Sequence, residues 1–114
     1  MAKYQRNRFV DVDYLKYVSK MQCCLEKYSN NCDGYIEVHH LLKPWIGSRG
    51  MSLKSDDRNV LPLCMKHHRE LHTKHGTEKN LANHYELSDD FLKSLSENLY
   101  VTYTSIPKLD DLPF

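Results

Sequence analysis

Between Asp11 and about Gln22, Val12, Leu15, Val18 and Met21 recur at a spacing of three with Tyr14 and Tyr17 beside them, which predicts an amphipathic helix. Cys23 to Gly34 is polar and carries Ser-Asn-Asn and Asp-Gly turn chemistry. Tyr35-Ile36-Glu37-Val38-His39 alternates as a short strand does. Pro44 to Asp57 contains Gly47, Gly50 and several polar residues and reads as a long loop, a feature that is usually functional inside a compact domain. Val60-Leu61-Pro62-Leu63 predicts a second short strand, confined to a sheet edge by its proline. Residues 64–75 predict a helix, with Gly76 placed to end it. A shorter helix is expected from Thr77 or Glu78 to about Tyr85. Another is expected after Ser88, with Asp89 and Asp90 suited to its positive N-terminus and Phe91, Leu92, Leu95 and Leu99 as its apolar positions. Residues 1–10 read as a loosely held basic arm, 11–100 as one domain, and 101–114, interrupted by Pro107 and Pro113, as a tail. The central order of strand, loop, strand and helix, flanked by helices, predicts an α+β fold.

Length and composition narrow this further. The 114 residues allow one compact domain. With 40% hydrophobic and 27% charged residues, the chain has the composition of a soluble globular protein rather than a disordered or fibrous one. No apolar run approaches the roughly 20 residues that span a bilayer, so no membrane association is expected. Met1 to Arg6 has no apolar core behind its charges, so no signal peptide is expected and a reducing cytoplasm is the expected compartment. There, four Cys interleaved with seven His favour metal binding over the two disulfides an oxidising compartment would suggest. Lys+Arg 16 against Asp+Glu 15 gives a net charge of only +1. That balance hides an asymmetry: residues 1–85 carry 14 basic and 9 acidic residues, a net +5, while residues 86–114 carry 2 and 6, a net −4. A positive body with an acidic end presents a different field from a neutral protein.

The candidate chemistry lies in His39-His40, Asn59, His68 and His72. His68 and His72 are four apart in a predicted helix, the spacing that gives two imidazoles to one metal. His39 and His40 are neighbours at the end of a strand, where alternation lets one face a metal and the other a neighbouring water. Three His on one divalent ion leave coordination positions open, as in a catalytic site. His75 and His84 fall outside this pattern and read as surface residues. Cys64 and His67, three apart at a helix start, have a spacing that often supplies half of a tetrahedral zinc site.

This order and spacing resemble those of the HNH nucleases, also called His-Me finger or ββα-metal nucleases. The step from Asn59 to His68 and on to His72 resembles that of colicin-type DNases. The wider text, Glu37-Val38-His39-His40, Gly50 to Asp56, Val60-Leu61-Pro62-Leu63-Cys64, His67-His68, Leu71-His72 and Gly76, is more similar to phage Ref-type recombination-enhancement nucleases. The resemblance spans roughly residues 14–100. It implies a ββα-metal finger with flanking helices, in which His40 is the general base and His39, His68 and His72 hold the catalytic divalent metal (Mg, Mn or Zn). Asn59 would steady the loop against the strand and orient the base, by its side chain or its backbone carbonyl. The implied products are a 5′-phosphate and a 3′-hydroxyl.

Many HNH proteins complete a structural zinc site with a Cys-x-x-Cys knuckle. Here Cys23 has Glu26 where the second Cys would stand, and Cys32 can substitute. The expected zinc ligands are therefore Cys23 or Cys24, with Cys32, Cys64 and His67. Lys43, Arg49, Lys54, Arg58, Lys66 and Arg69, opposed by Asp56, Asp57 and Glu70, form a modest basic group that suits phosphate contact without base reading. The expected function is an endonuclease acting on DNA with low sequence specificity in a bacterial or phage-infected cell. The resemblance further implies a partnership with a host recombinase filament on strand-exchange intermediates. The competing reading is a non-catalytic, zinc-stabilised nucleic-acid-binding module, and a third is cleavage of RNA or structured DNA.

Overall fold

A computed structural model describes residues 8–47 and 54–106. In order, the elements are α1 (Val12–Ser19), β1 (Ile36–His40), β2 (Val60–Cys64), α2 (Met65–Glu70), a π-helical turn (Leu71–His75), α3 (Glu78–His84) and α4 (Phe91–Thr104). The class is α+β, with a two-stranded antiparallel sheet and helices packed around it.

Asp11 caps α1 by accepting the Tyr14 amide at 3.0 Å. Its buried face is Tyr14 and Val18, four residues apart, while Val12 is 56% exposed. Both were expected on the apolar side, Leu15 and Tyr17 pack beside them, and Tyr14 fills the gap beside Val60, Tyr100 and Tyr103, so only Val12 departs from the spacing.

In the sheet, His39 pairs with Leu61 and His40 with Val60. Pro62 lies opposite Val38, and its carbonyl accepts the Cys24 amide at 2.9 Å, pointing away from β1. Its missing N–H therefore removes no ladder bond, as an edge position requires. Every residue of β2 is buried. It lies between the core of Leu25, Leu41, Leu61, Leu63, Leu71, Leu81 and Leu92 on one side and the Tyr14–Val18–Val60 cluster on the other. Ser96 of α4 ties to this strand by donating to the Val60 carbonyl at 3.0 Å.

The predicted helix 64–75 begins as an α-helix capped by Cys64 and widens after Glu70 into the π turn. The turn is closed by Gly76, at φ +80, whose amide donates to Leu71 O at 2.6 Å. α4 starts at Phe91, with Asp90 rather than Ser88 in the cap position, and runs to Thr104, past the boundary placed at residue 100. Of the expected basic arm, Arg8 and Phe9 are held in place. Arg8 donates to Ser55 O and to Asp57, and Phe9 O accepts the Asp57 amide. Among the described residues no helix is long and apolar enough to cross a membrane.

Candidate metal centres and the histidine site

The hairpin, α2 and the π turn bring His39, His68 and His72 together. Nδ1 of His39 lies 3.2 Å from Nε2 of His68, which lies 3.3 Å from Nε2 of His72. Nitrogens ~2.0–2.1 Å from a tetrahedral ion stand about 3.3 Å apart, so these spacings fit one metal. The far nitrogens strengthen the fit. His39 Nε2 meets Glu78 Oε2 at 2.7 Å, and His68 Nδ1 meets Glu37 Oε1 at 2.8 Å. An ionised carboxylate only accepts, so it places the proton on the far nitrogen and leaves a lone pair on the converging one. Ring nitrogens gathered at such distances could hold one cation between them. The site is open on one side: His39 is buried, His68 half-buried and His72 exposed.

Glu78 is the first residue of α3, after the Thr77 cap, and only 6% exposed. Besides His39 it accepts the amides of Leu42 and Lys43 at 2.8 and 3.4 Å. Burial would raise its pKa, but the His39 hydrogen bond and the Leu42 amide outweigh it and hold the carboxyl below its usual range. Burial likewise pushes the His39 imidazole down, although Glu78 opposes the shift.

His40 turns to the other side of the ribbon, as alternation requires. Its Nε2 lies 2.8 Å from Asp57 Oδ1. Burial lowers its pKa, with Asp57 opposing, so the ring is neutral at physiological pH. Asp57 is 2% exposed and also meets Arg8 at 2.8 Å and the Asp11 amide at 2.9 Å. Despite its burial, these partners hold it below the ordinary carboxylate range, the His40 bond foremost.

Asn59 is fully buried. Its Oδ1 accepts the amides of Trp45 and Ile46 at 2.8 and 3.3 Å, its Nδ2 donates to Ile46 O and Asp56, and its carbonyl accepts the Leu41 amide at 2.8 Å. It fastens the loop to the hairpin, but the side chain in contact with His40 belongs to Asp57.

A second cluster joins Cys23, Cys32, Cys64 and His67, whose donor atoms all lie within 4.8 Å of one another. His67 Nδ1 is 3.6 Å from Cys23 Sγ, 3.6 Å from Cys32 Sγ and 3.1 Å from Cys64 Sγ. Around tetrahedral zinc, with Zn–S ~2.3 Å and Zn–N ~2.0 Å, the sulfur–nitrogen separation is about 3.5 Å. His67 Nε2 is held by Ser29 Oγ and Tyr85 OH, each at 3.1 Å. All four cysteines are free thiols, and the cluster uses Cys23 rather than Cys24. Burial raises the Cys23 thiol and pushes Cys32 up to about 12. For Cys64 burial also raises, but the His67 amide and its other hydrogen bonds bring the thiol below its usual value. A bound metal would favour the thiolate form of the three sulfurs, and these four donors could hold one such as zinc.

The acids that orient the imidazoles, Glu37, Glu78 and Asp57, are absent from the residues that spacing selects. Glu37 had a signal: it lies two before His39 and so shares its strand face. The basic group is thinner than the sequence suggests. Arg58 is committed to Asp56 at 2.7 Å and lies 4.7 Å over the Phe9 ring. Lys43, Lys54 and Arg69 are exposed, and Arg49 lies outside the described residues with Gly50 to Leu53. His75 and His84 are exposed or half-buried, with rings 4.9 Å apart.

A 71-residue stretch is 39% identical to the uncharacterized protein YdfU of Escherichia coli (strain K12), covering 60% of this chain but 18% of that protein. The chain thus spans less than a fifth of the length of that relative. No solved structure matches it. The sequence profile described as "Protein of unknown function (DUF968)" matches residues 1–96, and the chain belongs to that family.

Proposed function

We propose that this chain is a metal-dependent endonuclease of the HNH, ββα-metal type that hydrolyses DNA phosphodiester bonds with low sequence specificity. The observation that carries the reading is the convergence of His39, His68 and His72 at metal-ligand spacing, each of the first two backed by a carboxylate, next in sequence to the neutral, acid-held His40. His39, His68 and His72 hold the catalytic divalent ion on a scaffold of hairpin and helix. Bound there, a divalent ion supplies charge neutralisation at the scissile phosphate and the departing 3′-oxygen.

The chain's own work is proton transfer and positioning. His40 takes a proton from a water molecule as its oxygen attacks phosphorus. The P–O3′ bond breaks, the 3′-oxygen acquires a proton from solvent, and the ends are a 5′-phosphate and a 3′-hydroxyl. Exposed Lys43, Lys54 and Arg69 engage backbone phosphates and not base edges, which accounts for the low specificity. Cys23, Cys32, Cys64 and His67 hold structural zinc. By the Ref-type resemblance, the substrates are strand-exchange intermediates met with a host recombinase filament, in a bacterial or phage-infected cytoplasm.

The test is cleavage of supercoiled plasmid and of a single-stranded oligonucleotide with Mg²⁺ or Mn²⁺. Nicking that EDTA abolishes and that leaves 5′-phosphate ends is expected. Cleavage of RNA alone would move the substrate class. Binding of DNA without cleavage, in any of these metals, would favour the non-catalytic module.

A further inference from the structure

We infer that Asp57 is the positioning residue of His40, fixing the ring in the tautomer with its proton on Nε2 and leaving Nδ1 as the atom that accepts a proton. The inference rests on the nuclease reading only for its catalytic consequence.

Asp57 is buried, and each of its oxygens faces donors. Oδ1 lies 2.8 Å from Arg8 Nη2 and 2.8 Å from His40 Nε2, and Oδ2 accepts the Asp11 amide at 2.9 Å. A guanidinium is always charged, and the carboxylate paired with it can only accept. The hydrogen between Asp57 and His40 therefore belongs to Nε2. Among the described residues the Nδ1 atom of His40 has no hydrogen-bond partner, so its lone pair is uncommitted.

The carboxylate is itself held from three directions. The Asp57 amide donates to Phe9 O at 3.1 Å, Arg8 also grips the Ser55 carbonyl, and Asp11 is the cap of α1. The segment from Arg8 to Asp11 thus anchors the loop that carries Asp57, although it lies some 30 positions before His40 in the sequence. Asn59, which the spacing nominates for this task, is occupied with the Trp45–Ile46 loop.

The test reads the ring directly, in full-length, metal-loaded protein, by ¹⁵N-resolved NMR of the His40 side chain, alongside single-turnover cleavage. Wild type is expected to carry hydrogen on Nε2 and none on Nδ1. Asp57→Asn, whose amide can donate to Nε2, is expected to shift the proton to Nδ1. It should lower kcat by about 100-fold or more with KM and metal content little changed. Arg8→Ala breaks the anchoring ion pair but not the His40 bond, and is expected to keep the wild-type tautomer. Hydrogen on Nδ1 in wild type, or the same tautomer in wild type and Asp57→Asn, would overturn the inference. Because the tautomer is read without turnover, absence of cleavage would count against the nuclease reading and leave the positioning role of Asp57 intact.

Discussion

Glu78 shows how a single side chain can join a metal site to the fold. It accepts from the His39 ring and from two loop amides, so it aligns the imidazole and closes the end of β1 together. Glu78→Gln keeps the shape but lets the amide donate to His39, which favours the wrong tautomer. The expected result is a 10–100-fold weaker affinity at the histidine site, measured by competition with a metallochromic indicator, with zinc at the cysteine site unchanged. Titration has a definite sign here. Burial leaves His39, His40 and His67 with pKa values below the ordinary 6.5, so the unfolded chain binds more protons than the folded one as the pH falls past that value. Stability is therefore full above about pH 6.5 and falls on acidification through the depressed folded values, and proton competition for the metal ligands acts in the same direction. Thermal melting between pH 7.5 and 5.5 should show a steady decrease. Among single residues, the pairs His68–His72 and Cys64–His67 were legible, because ligand spacing on a helix follows from its pitch, and the structure gathers them into two clusters that could hold a metal. Asp57 and Glu78 were not, since each reaches its histidine from a loop or helix that only the tertiary fold brings near.

Gly34 matters for how the elements join. Its φ is +86, and a Cβ there would stand 2.7 Å from Cβ of Met65. The close approach lets Asp33 O accept the Lys66 amide at 3.1 Å and Tyr35 O accept that of Met65 at 2.9 Å, seating the segment that carries Cys32 on the start of α2. Gly34→Ala is expected to cost about 1–3 kcal/mol, from the positive φ and the contact together, and to weaken zinc retention. Chemical denaturation and chelator-release rates check both. Element order and type were readable from alternation, turn residues and the apolar periods. The π turn was not, because an HxxxH step looks the same in either helix type. The apolar side of α1 was readable through Val18 and Tyr14, and only Val12 departs from it. The cap position of α4 is Asp90 rather than Ser88, and Asp89 bonds Asn83 at 3.1 Å and does not serve in the first turn.

For the molecule as a whole, a domain this small relies on more than its apolar core. The cysteine cluster fastens the segment after α1 to the junction of β2 and α2, linking residues 23 and 32 to 64 and 67. Cys64→Ser, which also weakens the α2 cap, is expected to lower zinc by one ion per chain in elemental analysis and to reduce Tm. Unchanged zinc would contradict the ligand set. Within the positive body Arg8 and Arg58 are spent on the buried Asp57 and Asp56, which its net +5 already counts, and not on phosphate. The proposed nuclease activity would need the histidine cluster and His40 acting together, the one to hold the ion and the other to take the proton. The most direct test is the single-turnover rate of plasmid cleavage by wild type and His40→Ala at equal, measured metal occupancy. A rate lower by ~10²–10⁴-fold is expected in His40→Ala, with DNA affinity and metal content unchanged; rates within a few-fold of each other would contradict the role of His40 as base.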